Sequence, residues 1–171
     1  MAAFFPRHSV DWHLEEPPFI RRLTLSLAAT AIVAGILVRL YRLAVLTYAP
    51  RNVWAFLLMA AGALVLMLGL ATAHLGNFPV RHWLWRAPAF GAVEAAAFLA
   101  TGALLIAAGV ERVGTEMMHW HDWSADLLTV LLRHTITVSL FALLLAAVVQ
   151  IVRRYLIRHP DSAISEAIGD T

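Results

Sequence analysis

Glu116-Met-Met-His119-Trp-His121-Asp122 is the densest run of chemically capable side chains in the sequence, with Asp126 and His134 downstream. His119, His121 and Asp122 offer two imidazoles and a carboxylate, a donor set that zinc or copper accepts. The spacing argues the other way. A His-x-His pair presents both rings to one side only in an extended segment, and no second pair follows at metal-ligand spacing. Eight histidines in 171 residues also make a chance cluster ordinary.

Three further ionisable positions, His74, Glu94 and His134, are candidates for holding a cofactor. Each falls inside or at the end of an apolar stretch, where a polar group is costly enough to count as a functional hypothesis. Glu94 and His74 are expected on the same side of the membrane and could meet as a carboxylate–imidazole pair. Such a pair serves as a proton site, a quinone hydrogen-bonding site or half of a ligand pocket. The alternative is a buried polar contact that sets the register of two helices. Bis-histidine haem ligation is disfavoured, because His74 and His134 are expected at opposite membrane faces; a single-histidine pigment contact stays open. Arg39, Arg42 and Arg133 have two readings as well. They can snorkel to the interface along their aliphatic stems, or line an anion-binding vestibule with Glu111, Glu116, Asp122 and Asp126 as counter-charges. Nucleophile-elbow, phosphate-loop, zinc-protease and dinucleotide motifs do not occur, and connections of about 14–16 residues are too short for a catalytic domain of their own.

The elements that must position these groups are four apolar stretches, Leu23–Tyr48, Val53–Ala73, Ala89–Val110 and Leu127–Ile151. About 20 apolar helical residues cross a roughly 30 Å hydrocarbon core, so each stretch is long enough. Hydrophobic residues make up 61% and charged residues 14% of the chain. A soluble domain has about 45–50% and 25%. Val53–Ala73 and Thr135–Val152 carry no Asp, Glu, Lys or Arg on any face, and nothing alternates as a barrel strand would. The expected fold is all-α: a polytopic integral membrane protein with four transmembrane helices in an up-down bundle.

Residues 1–22 read as a cytoplasmic or interfacial N-terminal segment, 23–152 as the transmembrane domain and 153–171 as a cytoplasmic tail. Met1–Ile20 carries Asp11, Glu15, Glu16 and the Pro17-Pro18 pair and lacks an apolar core, so it does not read as a cleaved signal. All thirteen basic residues are arginines. Arg7, Arg21, Arg22, Arg81, Arg86, Arg153, Arg154 and Arg158 fall on the N-terminal side, against Arg51 and Arg112 on the other, or five arginines there if Arg39, Arg42 and Arg133 near the span ends are counted. Both termini are therefore expected in the cytoplasm of a bacterial cell, with the protein in the inner membrane. Nucleic acid is not an expected partner, since the arginines flank spans instead of forming a soluble basic face. The chain has no cysteine, which excludes disulfides and thiolate chemistry.

Tryptophans mark the boundaries. Trp12, Trp83 and Trp85 on one face and Trp54, Trp120 and Trp123 on the other are expected as interfacial anchors, because an indole pairs an apolar ring with an N–H that needs a partner. Pro88 suits the first turn of the third helix and Ser124 the N-cap of the fourth. Within Ala89–Val110, twelve residues are Ala or Gly. Gly91 and Ala95, with Ala92, Ala96 and Ala100, recur at four-residue spacing and offer a stripe along which another helix can approach closely. That helix is either the bundle centre or the docking face for a partner.

Val38-Arg-Leu-Tyr-Arg, Ala49-Pro-Arg-Asn-Val-Trp54, Gly69-x4-His74-Leu-Gly-Asn-Phe-Pro-Val80 and Leu84-x-Arg86-x-Pro88, in that order, resemble the small four-helix membrane subunit of tripartite periplasmic (TRAP-type) transporters. The resemblance covers about 50 residues plus the four-span layout. It implies an auxiliary role beside a large permease, with no catalytic residues to carry over. The chain departs from the pattern where those subunits carry an acidic pair after the tryptophan: Ala55-Phe56 stands there. Taken together, the residues lead to a small non-catalytic integral subunit that packs into a larger respiratory, photosynthetic or transport complex, with the lipid bilayer and other membrane subunits as partners. The rival is a membrane metal-, haem- or pigment-binding protein using His119/His121 or His74/Glu94. A transporter in its own right would need an oligomer to build a polar path.

Overall fold

The computed structural model describes residues 18–48, 52–110 and 123–158. These residues are helical apart from short turns, with no strand among them. A short α1, Pro18–Leu25, opens on a proline at a position where its missing N–H costs nothing. It is followed by α2, Leu27–Tyr48; α3, Val53–Leu75; a 3-10 turn at Val80–His82; α4, Trp83–Ala107; and α5, Trp123–Arg158. Four segments are long and apolar enough to cross a membrane: Leu27–Tyr48, Val53–Leu75, Val80–Ala107 and Leu127–Tyr155.

The first stretch is not one helix. Ser26 interrupts it, donating its N–H to the Arg22 and Leu23 carbonyls while its Oγ accepts from Ala29 N–H at 3.3 Å, so one residue ends α1 and caps α2. The Thr30 hydroxyl reaches the Leu23 and Ser26 carbonyls at 2.7 and 2.8 Å and closes the same break. At the next boundary Asn52 is extended, and its Oδ1 accepts from Ala55 N–H at 2.9 Å, satisfying one of the orphan donors of α3. Asn52→Ala should therefore cost about 1 kcal/mol, and Asn52→Ser much less, in unfolding of the detergent-solubilised protein.

The third span begins earlier than expected. α4 starts at Trp83, six residues before Ala89, and Pro88 lies inside it, not in its first turn. A proline there leaves the Leu84 carbonyl without its helical partner, a cost confined to the second turn of the helix. At its far end α5 runs on to Arg158, past Ile151. The side chains of Trp123, Ser124 and Asp126 lie outside those described, as do Trp12 and Trp120.

α4 is the centre of the bundle, packed along α2 on one flank and α5 on the other, while α3 leans on α2 and meets α4 and α5 only sparsely. Small residues set these contacts. A Cβ on Gly35 of α2 would stand 2.8 Å from both the Ala97 Cβ and the Phe98 nitrogen, and closer still to the Glu94 carbonyl oxygen. A Cβ on Gly91 would stand 2.7 Å from the Thr135 Cα. Close backbone approach of this kind is how helices associate in lipid, where tails are as apolar as leucine and only fit distinguishes them. Gly91 and Ala95 are buried in this packing, Ala92 is half-buried, and Ala96 and Ala100 are exposed. Gly62 on α3 plays a related part: it makes room for the Tyr41 ring, whose hydroxyl donates to the Leu58 carbonyl at 2.8 Å and ties α2 to α3.

Candidate functional site

Two polar clusters lie within this apolar frame. The deeper one is built where α4 is squeezed from both sides. Glu94 is one turn beyond Gly91, and the backbone contact of Gly91 with Thr135 brings the neighbouring residue of α5, His134, to the same height. The result is a contact of 2.6 Å between Glu94 Oε2 and His134 Nδ1. Glu94 is fully buried and His134 is 6% exposed. The second carboxyl oxygen, Oε1, is buried without a hydrogen-bond partner.

The sequence pairs Glu94 with His74 as candidates on one side; the imidazole it meets is His134. Starting α4 at Trp83 places Glu94 eleven residues along the helix, about 16 Å at 1.5 Å per residue, and so near mid-span. His74 stays at the end of α3. Its ring is fully buried there, with Nδ1 2.9 Å from the Thr24 carbonyl and Nε2 3.2 Å from Arg86 Nη1. A carbonyl only accepts and a guanidinium only donates, so the ring donates through Nδ1 and accepts at Nε2. Both nitrogens are committed. Asn77 donates to the Thr24 and Ala73 carbonyls, and Trp83 Nε1 donates to those of Leu75 and Phe78. The knot joins α1, the end of α3 and the start of α4.

Trp83 consequently differs from the interfacial anchor expected of it. It is only 2% exposed, because the tight turn after α3 supplies two carbonyls for its N–H inside the protein. Trp54 and Trp85 stand on the outside, 78% and 54% exposed. Arg86 lies against two rings, with its guanidinium carbon 3.4 Å from the Phe78 centroid and 4.6 Å from that of Trp85.

Around the deeper pair, the arginines of α2 turn inward instead of snorkelling. Arg39 is 2% exposed, and its guanidinium carbon sits 5.2 Å from the Phe98 centroid beside Gly102. Arg42 approaches the same ring at 5.3 Å. Phe98 in turn packs on His134, centroid to centroid 5.2 Å. The order in space is guanidinium, benzene ring, imidazole, carboxylate. The ring face offers the cations a quadrupole.

Glu94 and His134 can hold one proton between them as a neutral acid and imidazole or as carboxylate and imidazolium. Either state has no net charge, which suits a pair in hydrocarbon. In the first state Nε2 donates or accepts according to tautomer, and in the second it donates. His134 lines a cavity of about 270 Å³ between α2, α3 and α5, so Nε2 is the nitrogen left for a ligand there. A second cavity, about 280 Å³, lies between the start of α4 and α5 and is lined mainly by apolar side chains such as Leu84, Ala142 and Leu143.

Among the described residues no group of three or more His, Asp or Glu is placed to hold a metal ion. His119, His121 and Asp122 lie outside the described residues. Comparison with protein-family models, with curated proteins and with solved structures finds no match to this chain. The likeness to the TRAP-type subunit thus rests on the residues quoted for it.

Proposed function

We propose that the chain is a small non-catalytic subunit of a larger bacterial inner-membrane assembly. Its four spans run up and down, and both termini lie in the cytoplasm. Eight arginines flanking the proposed cytoplasmic face, against two on the other or five with Arg39, Arg42 and Arg133 counted, support the orientation.

The observation that carries the reading is Gly69. It sits in the interior of α3, exposed, with nothing within 4 Å of where a Cβ would be. Glycine inside a helix costs about 1 kcal/mol against alanine, and no contact among the described residues offsets it. Ala61, Val65 and Gly69 recur every fourth residue on that exposed side of α3. Such a stripe suits another transmembrane helix, which lipid tails do not require. The burial of the spans agrees: 11% of the α3 and α5 windows is buried within the chain, against 33% and 39% for α2 and α4.

Gly69→Leu should leave the chain folded and inserted yet release it from the assembly, read as a shift from a large to a small species on gel filtration in mild detergent. A wild-type chain that runs alone as a monodisperse species, with every large membrane complex intact after its deletion, refutes the reading. The orientation has its own check. The chain has no cysteine, so single cysteines placed in each tail should react with an impermeant maleimide only after the cells are opened.

A further inference from the structure

His134 meets Glu94 through Nδ1 and lines the cavity between α2, α3 and α5, to which it can offer only Nε2. Phe98 packs on the ring at 5.2 Å, centroid to centroid, and holds its plane. The proton that the pair shares lies on the 2.6 Å line from Oε2 to Nδ1. On either atom it leaves Nε2 carrying a hydrogen, and the pair as a whole has no net charge. The donor this gives the cavity is therefore not a free cation. Thr137 follows three residues later on α5, on the same helix face, and its hydroxyl can donate or accept. Arg42 is engaged with the Phe98 ring.

Most of the remaining lining is apolar. Met59 and Met67 contribute thioethers, which adapt in shape and pack well against rings. α3 and α5 meet sparsely, so the cavity opens between them toward lipid, past the exposed Phe56 and Leu64. Its volume of about 270 Å³ is just under the usual ligand-pocket range of about 300–1,000 Å³, so it takes a small head and leaves a long tail outside. The geometry points to a binding site for a membrane quinone. A carbonyl oxygen of the neutral ring accepts from His134 Nε2–H, Thr137 meets a neighbouring oxygen, and the prenyl tail leaves between α3 and α5. A donor without net charge, set deep in an apolar span, favours an acceptor that is itself uncharged. The site goes beyond the subunit role and does not depend on it, because every residue in it belongs to this chain.

The full chain, in nanodiscs of phosphatidylcholine and phosphatidylglycerol, should be offered ubiquinone, menaquinone and oleate in turn. Retention is read by native mass spectrometry, and the carbonyl stretch of a quinone isotope-labelled at its carbonyls by infrared difference spectroscopy. One quinone should be retained per chain, its carbonyl band moved to lower frequency by Nε2–H, and whichever quinone is held identifies the ring. Ala63→Phe, which fills the cavity from α3, should abolish retention. Glu94→Leu/His134→Leu removes both members of the buried pair at once and should stay folded. It should weaken retention about tenfold, the upper worth of one hydrogen bond, and abolish the band shift. Should either variant fail to fold, Thr137→Val should still weaken retention about threefold. Arg133→Gln, an exposed position in the lining, should leave retention and band unchanged, which separates this head from an anionic one. Preference for oleate or phosphatidylglycerol, an unshifted carbonyl band, retention indifferent to the double replacement or to Thr137→Val, or loss with Arg133→Gln overturns the assignment.

Discussion

His134→Leu should destabilise the bundle by about 3–5 kcal/mol, the usual cost of breaking a buried pair by removing one partner. The structure gives a reason to expect the upper half of that range. Glu94 Oε1 already lacks a hydrogen-bond partner, so losing His134 strips the only one from Oε2 and leaves a fully buried carboxyl group with none. The double change Glu94→Leu/His134→Leu should recover most of the loss, because two leucines of similar volume carry nothing to desolvate. A double-mutant cycle by unfolding in mixed micelles measures the coupling. Additive single effects would mean that the 2.6 Å contact holds nothing together. Thr24 and Arg86, which surround the other histidine, should be indifferent to this change.

The contrast between the two histidines also marks how far the sequence could be read. Four spans were legible because length and composition are enough to find them, and α3 starts at Val53, where its apolar run does. The start of α4 was not. Pro88 is usually a first-turn residue, so the expected helix began near Ala89. The real one runs through the proline from Trp83, whose indole is tied to the preceding turn and fixes the chain there. Six residues of shift carried Glu94 from the level of His74 to that of His134. The signal that could have corrected it was Gly91. A glycine one turn before a mid-span carboxylate marks where a second helix comes close, and the imidazole on that helix is the natural partner. The inward turn of Arg39 had no sequence signal of comparable strength. It needs Phe98 and Gly102, four residues apart on another helix, and only packing puts them beneath it.

Gly35→Ala should destabilise the protein by about 2–3 kcal/mol, near the top of the usual range for overpacking, whereas Gly69→Ala in the isolated chain should be neutral or stabilising by up to about 1 kcal/mol. The substitution is the same and the helical propensity gained is the same, so the difference isolates what each glycine faces. At Gly69 the new methyl meets nothing. At Gly35 it meets the Glu94 carbonyl and the Phe98 nitrogen, both main-chain atoms of α4 that no rotamer change can move aside. The only relief is to push α2 away from α4. That displacement would lift Arg39 from the Phe98 ring and loosen the cover over His134, so Gly35→Ala should also weaken the Glu94–His134 coupling that the double-mutant cycle reads. Equal responses at the two glycines would mean that α2 and α4 do not meet as closely as described. Because a close approach of α2 falls on the Glu94 carbonyl and a close approach of α5 falls one turn earlier on Gly91, close backbone packing and the buried ionisable pair occupy one place. The polar pair is held there by backbone fit on both sides, which is why a methyl group added to α2 should be felt by an imidazole on α5.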